Sequence, residues 1–383
     1  MILLNRLRLR SLRWVLLAPL ALALAACSTG GQTDPASWPG VSADETQAYV
    51  AFGGGVYAVN LENGNEEWRY PREPSRDLSF YAAPAIASDN VVYAGAYDGT
   101  VRAIRADTGE EIRVFDGLDG RIVGSPVVAG DLLLVPTHSG TLYALNRHSG
   151  AEVWQRALGG PLWSAPRVDG DTVYVASLAH TLYAIRLNGG EDRWQEAADL
   201  GYAIADTPTL QDGSLLTGIL GDSLVALRAI DGKELWRAPS AGWLWGSPAI
   251  SDGTAFFGDV NGNVYALDLA TGAEVWKATP GGGVTSSPVA VDGRLVVGFE
   301  NGELMAFDLA TRNVVWRATA AGPIFTDPVV VGGKVLVAVT AQQALLQAFL
   351  PDPAYLRQPR PWDSAGGLRI GRPAWTFSPE EKG

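Results

Sequence analysis

The chain has 383 residues, of which 47% are hydrophobic and 18% charged, and its formal net charge is −12. A chain of this length and composition can bury a large core, which excludes a mainly disordered protein. The negative charge argues against nucleic acid as a partner, because binding to phosphates requires a basic surface. The 45 glycines, 23 prolines and 13 tryptophans favour short strands joined by tight turns, so the predicted fold class is all-β.

The amino terminus has the pattern of an export signal. Four arginines are followed by an apolar run of 13 residues, WVLLAPLALALAA, from Trp14 to Ala26. At about 1.5 Å per residue this run is too short to span about 30 Å of hydrocarbon, so it predicts a cleaved signal peptide over residues 1–26. Its removal takes away four arginines and no acidic residue, and the formal charge becomes −16.

Cys27, the only cysteine of the chain, ends the sequence LAAC. These four residues resemble a bacterial lipobox, which implies that the thiol is lipidated and that the mature protein is anchored to a membrane, facing away from the cytoplasm. Residues 27–37 then form the lipidated cysteine and a flexible polar tether. The residue directly after the cysteine is Ser28. An aspartate at this position would resemble a signal for retention in the inner membrane, so Ser28 permits sorting to an outer membrane. An ordinary signal peptide that ends at a cysteine is the alternative.

A unit of about 40 residues recurs along most of the chain. Its centre is a strand pattern such as LYALN or VYALD, and successive copies are offset by 40 to 45 residues. The central alanines are Ala58, Ala103, Ala144, Ala184, Ala226, Ala266, Ala306 and Ala348. A tryptophan follows ten residues later in most copies, whereas the second copy has Arg113 and the eighth reaches Trp375 only after an insertion.

Each unit contains four short β patterns separated by turn sequences such as DG, NG and TG, which is typical of a propeller blade. Eight copies predict an eight-bladed β-propeller over residues 38–379. The strand pattern at 372–377 is expected to complete the eighth blade beside the first and to close the ring. A seven-bladed ring with an amino-terminal appendage is the alternative, because the first copy lacks the small-residue-plus-proline element, such as GSP, that begins the other blades.

The stretch ALDLATGAEVW, from Ala266 to Trp276, resembles the tryptophan-docking motif A-x-D-x-x-T-G-x-x-x-W of the PQQ-type β-propellers. The resemblance implies that the indole on the outer strand of each blade packs against the neighbouring blade. The structural docking residues are then Trp68, Trp154, Trp194, Trp236, Trp276, Trp316 and Trp375. With its lipobox and acidic composition, the chain is similar to the BamB family, lipoproteins of the outer-membrane β-barrel assembly machinery.

That similarity implies a non-catalytic scaffold that binds a protein partner in the cell envelope, such as a barrel-assembly subunit, as a monomer within a complex. The competing interpretation is a PQQ-binding oxidoreductase or sensor. Quinoprotein dehydrogenases of the same superfamily carry vicinal cysteines and a bound calcium, whereas this sequence has one cysteine. We therefore expect no cofactor, including PQQ. A third interpretation is a surface lipoprotein that binds cell-wall carbohydrate through Trp163 and Trp245.

The sequence contains no recognisable catalytic constellation. His138, His148 and His180 lie in predicted turns and lack the spacing of metal ligands, and no G-x-S-x-G element or P-loop is present. We accordingly predict no catalytic residue, no metal site and no enzymatic activity.

A candidate partner-binding face is indicated three residues before the proline that begins each blade. That position is aromatic in every even-numbered blade, with Tyr81, Trp163, Trp245 and Phe325. Exposed aromatic side chains are favoured anchors at protein interfaces. The same face is expected to include Trp243 and, from the longest inter-blade loop, Arg72, Arg76 and Asp77. Alternation of large and small side chains that fill a tapering space is the competing explanation.

A proline-rich insertion over residues 350–367 interrupts the eighth unit. It is predicted to emerge on the opposite face, between the third and fourth strands of the last blade, as a partner-binding arm or a decoration without regular structure.

Replacing the candidate lipidation site tests the predicted anchor. Cys27→Ala should leave a folded protein that is unanchored or unprocessed, because the acceptor thiol is absent. Labelling with a radioactive or clickable fatty acid, followed by membrane fractionation, measures this. Normal acyl labelling of the variant would refute the lipobox.

Overall fold

The computed structural model describes residues 38–73, 75, 77–341, 344–350 and 369–379. The predicted signal peptide, Cys27 and its tether, Arg76 and almost all of the insertion lie outside these residues. In the described part every regular element is a β-strand, and no helix is long and apolar enough to cross a membrane. The predicted all-β fold class is confirmed.

Eight antiparallel sheets of four strands each follow one another around a ring, and one of them is extended by a fifth strand. The first four blades consist of β1 (Gly40–Ala43), β2 (Gln47–Phe52), β3 (Gly55–Asn60) and β4 (Glu66–Tyr70); β5 (Ala85–Ala87), β6 (Val91–Gly95), β7 (Val101–Arg105) and β8 (Glu111–Phe115); β9 (Val127–Ala129), β10 (Leu132–Pro136), β11 (Thr141–Asn146) and β12 (Glu152–Ala157); and β13 (Arg167–Asp169), β14 (Thr172–Ala176), β15 (Thr181–Arg186) and β16 (Ala198–Asp199).

The last four blades consist of β17 (Thr209–Gln211), β18 (Ser214–Ile219), β19 (Ser223–Arg228) and β20 (Glu234–Pro239); β21 (Ala249–Ser251), β22 (Thr254–Gly258), β23 (Val264–Asp268) and β24 (Glu274–Ala278); β25 (Val289–Val291), β26 (Arg294–Gly298), β27 (Glu303–Asp308) and β28 (Val314–Thr319); and β29 (Val329–Val331), β30 (Lys334–Ala341), β31 (Ala344–Phe349) and β33 (Pro373–Phe377). The eight-bladed propeller is confirmed, and the seven-bladed alternative is wrong.

The first strand of each blade is its innermost strand and lies beside the first strand of a neighbouring blade. Contacts join β1 to β5, β5 to β9, β21 to β25 and β25 to β29, and β1 also contacts β29. The innermost strands therefore surround a central channel. Because the first and last of them touch, the ring closes without a gap in the sequence order of the blades.

The turn between the third and fourth strands shows why the D-x-x-T-G sequence recurs. In blade six, Oδ1 of Asp268 accepts hydrogen bonds from the backbone N–H of Thr271 at 2.9 Å and from its hydroxyl at 2.7 Å. The N–H of Gly272 donates to the Asp268 carbonyl at 2.8 Å, with a φ of 71° that a side chain would strain. The motif therefore encodes a self-capped tight turn.

The glycine of this turn also receives the indole of the preceding blade. A Cβ at Gly64, Gly109, Gly190, Gly232 or Gly272 would lie 2.6 to 2.9 Å from ring atoms of Trp375, Trp68, Trp154, Trp194 or Trp236, respectively. Each of these five indoles also donates its N–H to a backbone carbonyl of the next blade, at 2.7 to 3.0 Å. The indole thus buries apolar surface and satisfies its only polar atom in the same contact.

The carboxyl-terminal strand completes the ring. The strand β33 pairs with β31 in blade eight, and Trp375 donates its indole N–H to the carbonyl of Leu61 in blade one at 3.0 Å. Trp375 and Phe377 share a core cluster with Tyr57 and Val59 of blade one. Blades eight and one are therefore joined by the same kind of contact as the four other pairs with such an indole.

One strand was not predicted from the sequence. The short strand β32 (Arg369–Gly371) pairs in parallel with β28 and becomes a fifth strand on the outer edge of blade seven. A Cβ at Gly371 would lie 2.4 Å from the Trp316 indole, so the chain passes directly over this ring. The segment that follows the insertion thus covers an outer sheet edge before it enters blade eight.

Truncating a docking indole tests its contribution to stability. Trp68 is 7% exposed and donates to the Ala106 carbonyl at 2.7 Å. Trp68→Ala should lower the free energy of unfolding by about 3 to 5 kcal/mol through the cavity it leaves, measured by chemical denaturation. Trp68→Phe should lose less, because it keeps most of the apolar contact, and Trp276→Ala should also lose less, because Trp276 is partly exposed. An unchanged denaturation midpoint for Trp68→Ala would contradict a docking role.

Candidate functional site

The two sides of the ring differ in the segments they present. The inter-blade loops and the turns between strands two and three form one side, the loop face; the other turns form the hairpin face. On the loop face, the turn between strands two and three of a blade is hydrogen-bonded through its backbone to the loop that enters the same blade. The backbone N–H groups of Tyr97, His138 and Val260 donate to the carbonyls of Ser79, Arg121 and Trp243, at 2.8 to 3.1 Å. These bonds hold the loops against rigid sheets.

Three aromatic side chains meet where the channel opens on the loop face. The ring of Trp38 is stacked on Phe325, with centroids 5.6 Å apart, and meets Trp245 edge-on at 6.3 Å. They come from the segments that enter blades one, eight and six. The structure thus brings two of the predicted residues together through Trp38, which is 46% exposed.

Trp38 was not among the predicted site residues. Its position, directly before the proline that begins the blade, is alanine, serine, threonine or aspartate in the other seven blades. The sequence therefore did contain a sign that Trp38 belongs to the site. It is a large aromatic residue at a position where the other blades have a small or polar one.

Two further aromatic contacts continue the cluster around the loop face. Tyr81 is stacked on Tyr97 with centroids 3.7 Å apart, and the Arg121 guanidinium lies 5.4 Å from the Tyr97 ring. Trp163 donates its indole N–H to Nδ1 of His138 at 2.9 Å, with the two rings stacked. His138 therefore accepts through Nδ1 in this arrangement and orients the Trp163 ring.

The remaining predicted residues are exposed but stand apart from these pairs. Trp243 is 40% exposed, and Arg72 and Asp77 lie exposed in the longest inter-blade loop, whereas Arg76 falls outside the described residues. Within the described part of the chain no ring contact joins Trp243 to another aromatic side chain. We define the aromatic face as Trp38, Tyr81, Trp163, Trp243, Trp245 and Phe325.

A ring of polar groups lies next to the aromatic face, at the start of the innermost strands. Asp206 Oδ2 accepts from the Ser247 N–H at 2.7 Å and from the Ser287 hydroxyl at 3.0 Å. The Ser287 N–H donates to Asp327 Oδ1 at 2.6 Å. Ser287 thus links two carboxylates that are contributed by blades five and eight. Neither aspartate was predicted from the sequence as a site residue.

Comparison with known families matches nearly the whole propeller. The family described as "Outer membrane protein assembly factor BamB" matches residues 28–120, 98–205, 179–276 and 260–350, which together cover most of the chain. The chain belongs to the BamB family. The resemblance to PQQ-type propellers and to this family, predicted from the docking motif, is confirmed.

Curated BamB proteins match this family member over one part of the chain. "Outer membrane protein assembly factor BamB" of Marinobacter adhaerens is 33% identical over 107 residues, which cover 28% of this chain and 26% of that protein. The protein of the same name from Shewanella oneidensis is 31% identical over 106 residues, covering 25% of this chain and 26% of that protein. The chain therefore aligns with about a quarter of the length of these relatives.

Solved structures share the fold of this BamB-family chain at low identity. The crystal structure of BamB from Moraxella catarrhalis has a TM-score of 0.67 and 21% identity, covering 78% of this chain and 90% of that chain. A computationally designed protein, Ika8, reaches 0.70 at 15% identity, covering 82% and 96%. A europium-containing methanol dehydrogenase reaches 0.62 at 16%, covering 78% and 81%. A BamB protein, a designed protein and an enzyme thus share this architecture.

The polar ring of this BamB-family propeller contains two carboxyl groups whose pKa values are raised. Burial and, to a smaller extent, the charge of Asp327 raise the pKa of Asp206 to about 7, although the hydrogen bonds from Thr207, Ser287 and Ser247 oppose this shift. Burial likewise raises the pKa of Asp327. Among the described residues, no group of three or more histidine, cysteine, aspartate or glutamate side chains is placed to hold a metal ion. Asp206 therefore takes up or releases a proton near neutral pH.

The raised pKa of Asp206 predicts a pH-dependent stability. The unfolded chain releases this proton near its ordinary pKa of 3.8 and the folded chain near 7, so the free energy of unfolding should fall as the pH rises through that window. Asp206→Asn should remove this decline and melt a few degrees higher than the parent at pH 8, with a smaller difference at pH 5. Thermal melts at both pH values measure it.

Asp231→Asn is the matched control, because Asp231 is paired with Arg228 on the hairpin face, which lowers its pKa. It should show no gain at pH 8. Equal melting of the parent and Asp206→Asn at both pH values would mean that Asp206 is ordinarily ionised.

Proposed function

We propose that this BamB-family propeller is a non-catalytic scaffold of outer-membrane protein assembly, which binds a protein partner in the cell envelope through its aromatic face. The observation that carries the proposal is the group of partly exposed aromatic rings held around one mouth of the channel. Trp38 and Trp243 are 46% and 40% exposed. Tryptophan and tyrosine are the residues that contribute most to binding energy at protein interfaces.

The rigidity of the loop face supports this role. The entering loops are bonded to the turns of their blades, and Trp163 is oriented by His138. A surface that is already ordered loses little conformational entropy when a partner binds. The aromatic rings therefore offer contact area at low entropic cost.

The class of partner is proposed from the family. The curated relatives are named outer membrane protein assembly factors, and a scaffold in such a process requires another protein of the assembly machinery as its partner. We propose a barrel-assembly subunit in that role, with the propeller acting as a monomer within the complex. Lipidation of Cys27 would hold the propeller at the membrane, on the side away from the cytoplasm, and so keep the partner at high local concentration.

The non-catalytic part of the proposal rests on the chain's own residues. A single cysteine is present, so the vicinal cysteine pair that we associate with quinoprotein dehydrogenases cannot form. The likeness to a methanol dehydrogenase, at 16% identity, extends to the fold alone. We propose neither PQQ nor a metal as a cofactor. Titration of the mature protein with PQQ and calcium provides the test, and stoichiometric binding with dye-linked oxidation would overturn this part.

Replacing one aromatic ring tests the aromatic face. Trp245→Ala should lower the amount of partner recovered in a mild-detergent pull-down by about tenfold or more, because a buried aromatic anchor is worth about 2 kcal/mol or more at an interface. Quantitative mass spectrometry of the material recovered from native membranes measures the effect. The melting temperature should change little, because Trp245 lies outside the sheets.

Ile230→Ala is the matched control, since Ile230 is a 78% exposed apolar residue on the hairpin face. It should recover as much partner as the parent protein. If Trp245→Ala and Trp163→Ala both retain the partner while Ile230→Ala loses it, the binding surface lies on the other side of the ring. Recovery of no assembly subunit by the parent would remove the assembly role.

A further inference from the structure

The contact between blades two and three has no docking indole. Between blades two and three, the outer strand β8 holds Arg113 where the repeat has tryptophan. Arg113 pairs with Ala103 in the sheet, just as Trp68 pairs with Ala58 in blade one. Its side chain lies over Gly150 of blade three. Arg113 therefore occupies the docking position, but its side chain is charged and fills less space than an indole.

A cavity of about 140 Å³ lies at this contact, lined in part by Tyr93, Ala103 and Arg113. Tyr93 corresponds to Tyr49 of blade one, whose ring lies 6.0 Å from the docking indole of Trp68. The cavity thus coincides with space that an indole fills at other contacts. Its volume is close to the roughly 150 Å³ of an engineered cavity that binds benzene. An aromatic ring of six carbons therefore fits.

The charged groups around the cavity leave one cation without a partner. Arg147 Nη1 lies 2.6 Å from Asp89 Oδ2, and although burial opposes it, this contact lowers the pKa of Asp89. His148 Nε2 lies 3.3 Å from Asp131 Oδ1. Among the described residues, no carboxylate forms an ion pair with the Arg113 guanidinium. Arg113, which is exposed to solvent, therefore supplies a positive charge that no described carboxylate pairs, beside the apolar side chains of Val91, Ala103 and Ile112.

We propose that this cavity, the docking gap, binds an aromatic carboxylate, with the ring in the vacant indole space and the carboxylate on the Arg113 guanidinium. A planar guanidinium can bind a carboxylate through two parallel hydrogen bonds. One positive charge matches a carboxylate better than a phosphate monoester, which carries about −1.5 to −2 at neutral pH.

An aromatic carboxylate can belong to two kinds of ligand. One is the carboxyl-terminal aromatic residue of a polypeptide, and the other is a free aromatic acid. The turns that hold Asp89 and His148 lie on the hairpin face. The docking gap is therefore on the side opposite the aromatic face, and its test is independent of the proposed function.

The first experiment measures binding of four probes to the purified mature propeller by calorimetry and NMR. The probes are N-acetylphenylalanine, its amide, a hexapeptide that ends in phenylalanine with a free carboxylate, and the same peptide as the amide. Each acid should bind about tenfold or more tightly than its amide, the difference expected from one charged hydrogen-bonded pair. A peptide acid that binds more tightly than N-acetylphenylalanine identifies a polypeptide terminus as the source, and equal affinities identify the free acid.

Two substitutions at position 113 locate the site. Arg113→Gln keeps the side chain similar in length but uncharged, so it should abolish the preference for acid over amide. Arg113→Trp restores the repeat and should fill the docking gap, which removes binding of all four probes while keeping or raising the melting temperature. Arg237→Gln is the matched control, because Arg237 lies on another outer strand and is paired with Glu234 at 2.8 Å. It should bind the probes like the parent.

The proposal is overturned if the parent protein binds no probe up to its solubility limit, or if acids and amides bind equally. Retention of the acid preference by Arg113→Gln would also overturn it, and this variant remains informative if Arg113→Trp does not fold. Displacement of the acids by millimolar inorganic phosphate, but not by acetate at equal ionic strength, would exclude a carboxylate site.

Discussion

The contact on which the structure depends is the indole of one blade lying over the glycine turn of the next. It combines buried apolar area, a satisfied indole N–H and a close approach that only glycine permits, as in Trp68 over Gly109 with its bond to Ala106. A single blade cannot cover both of its faces, so stability arises between blades. Trp375, on the carboxyl-terminal strand that completes blade eight, makes the same contact with blade one and so closes the ring.

The docking indoles contact turns on the hairpin face. The side chains of the loop face are therefore not needed for these contacts between blades. The loops of this face can carry side chains that the fold does not require, and Trp38 and Phe325 are examples. The same arrangement places Asp206 and Asp327 at the start of innermost strands, where enclosure raises the pKa of both carboxyl groups. Because the loops that carry the aromatic rings are hydrogen-bonded to the blades, a partner that bound there would cost little conformational entropy.

The departures from the repeat are as informative as the repeat itself. Arg113 leaves the docking gap between blades two and three, with an unpaired charge beside it. Arg312 stands where other turns have glycine and adopts a φ of 64°, which a side chain normally avoids. On blade seven, β32 covers the outer edge beside Trp316. Each departure changes the contact between one pair of blades and leaves the docking contacts between the other blades in place, because each docking contact joins only two neighbouring blades.

Sequence alone determined the all-β class, the eight blades and the family, since these follow from local periodicity and from turns such as the one at Gly272 that are encoded within a few residues. It also indicated Trp245 and Phe325 through their shared position in the repeat. Only the tertiary structure decided that Trp38 joins them, that Asp206 and Asp327 share one hydrogen-bonded ring, and that β32 lies on blade seven. Such contacts join residues far apart in the chain, and the curvature of the closed ring, which no local pattern expresses, determines which of them meet.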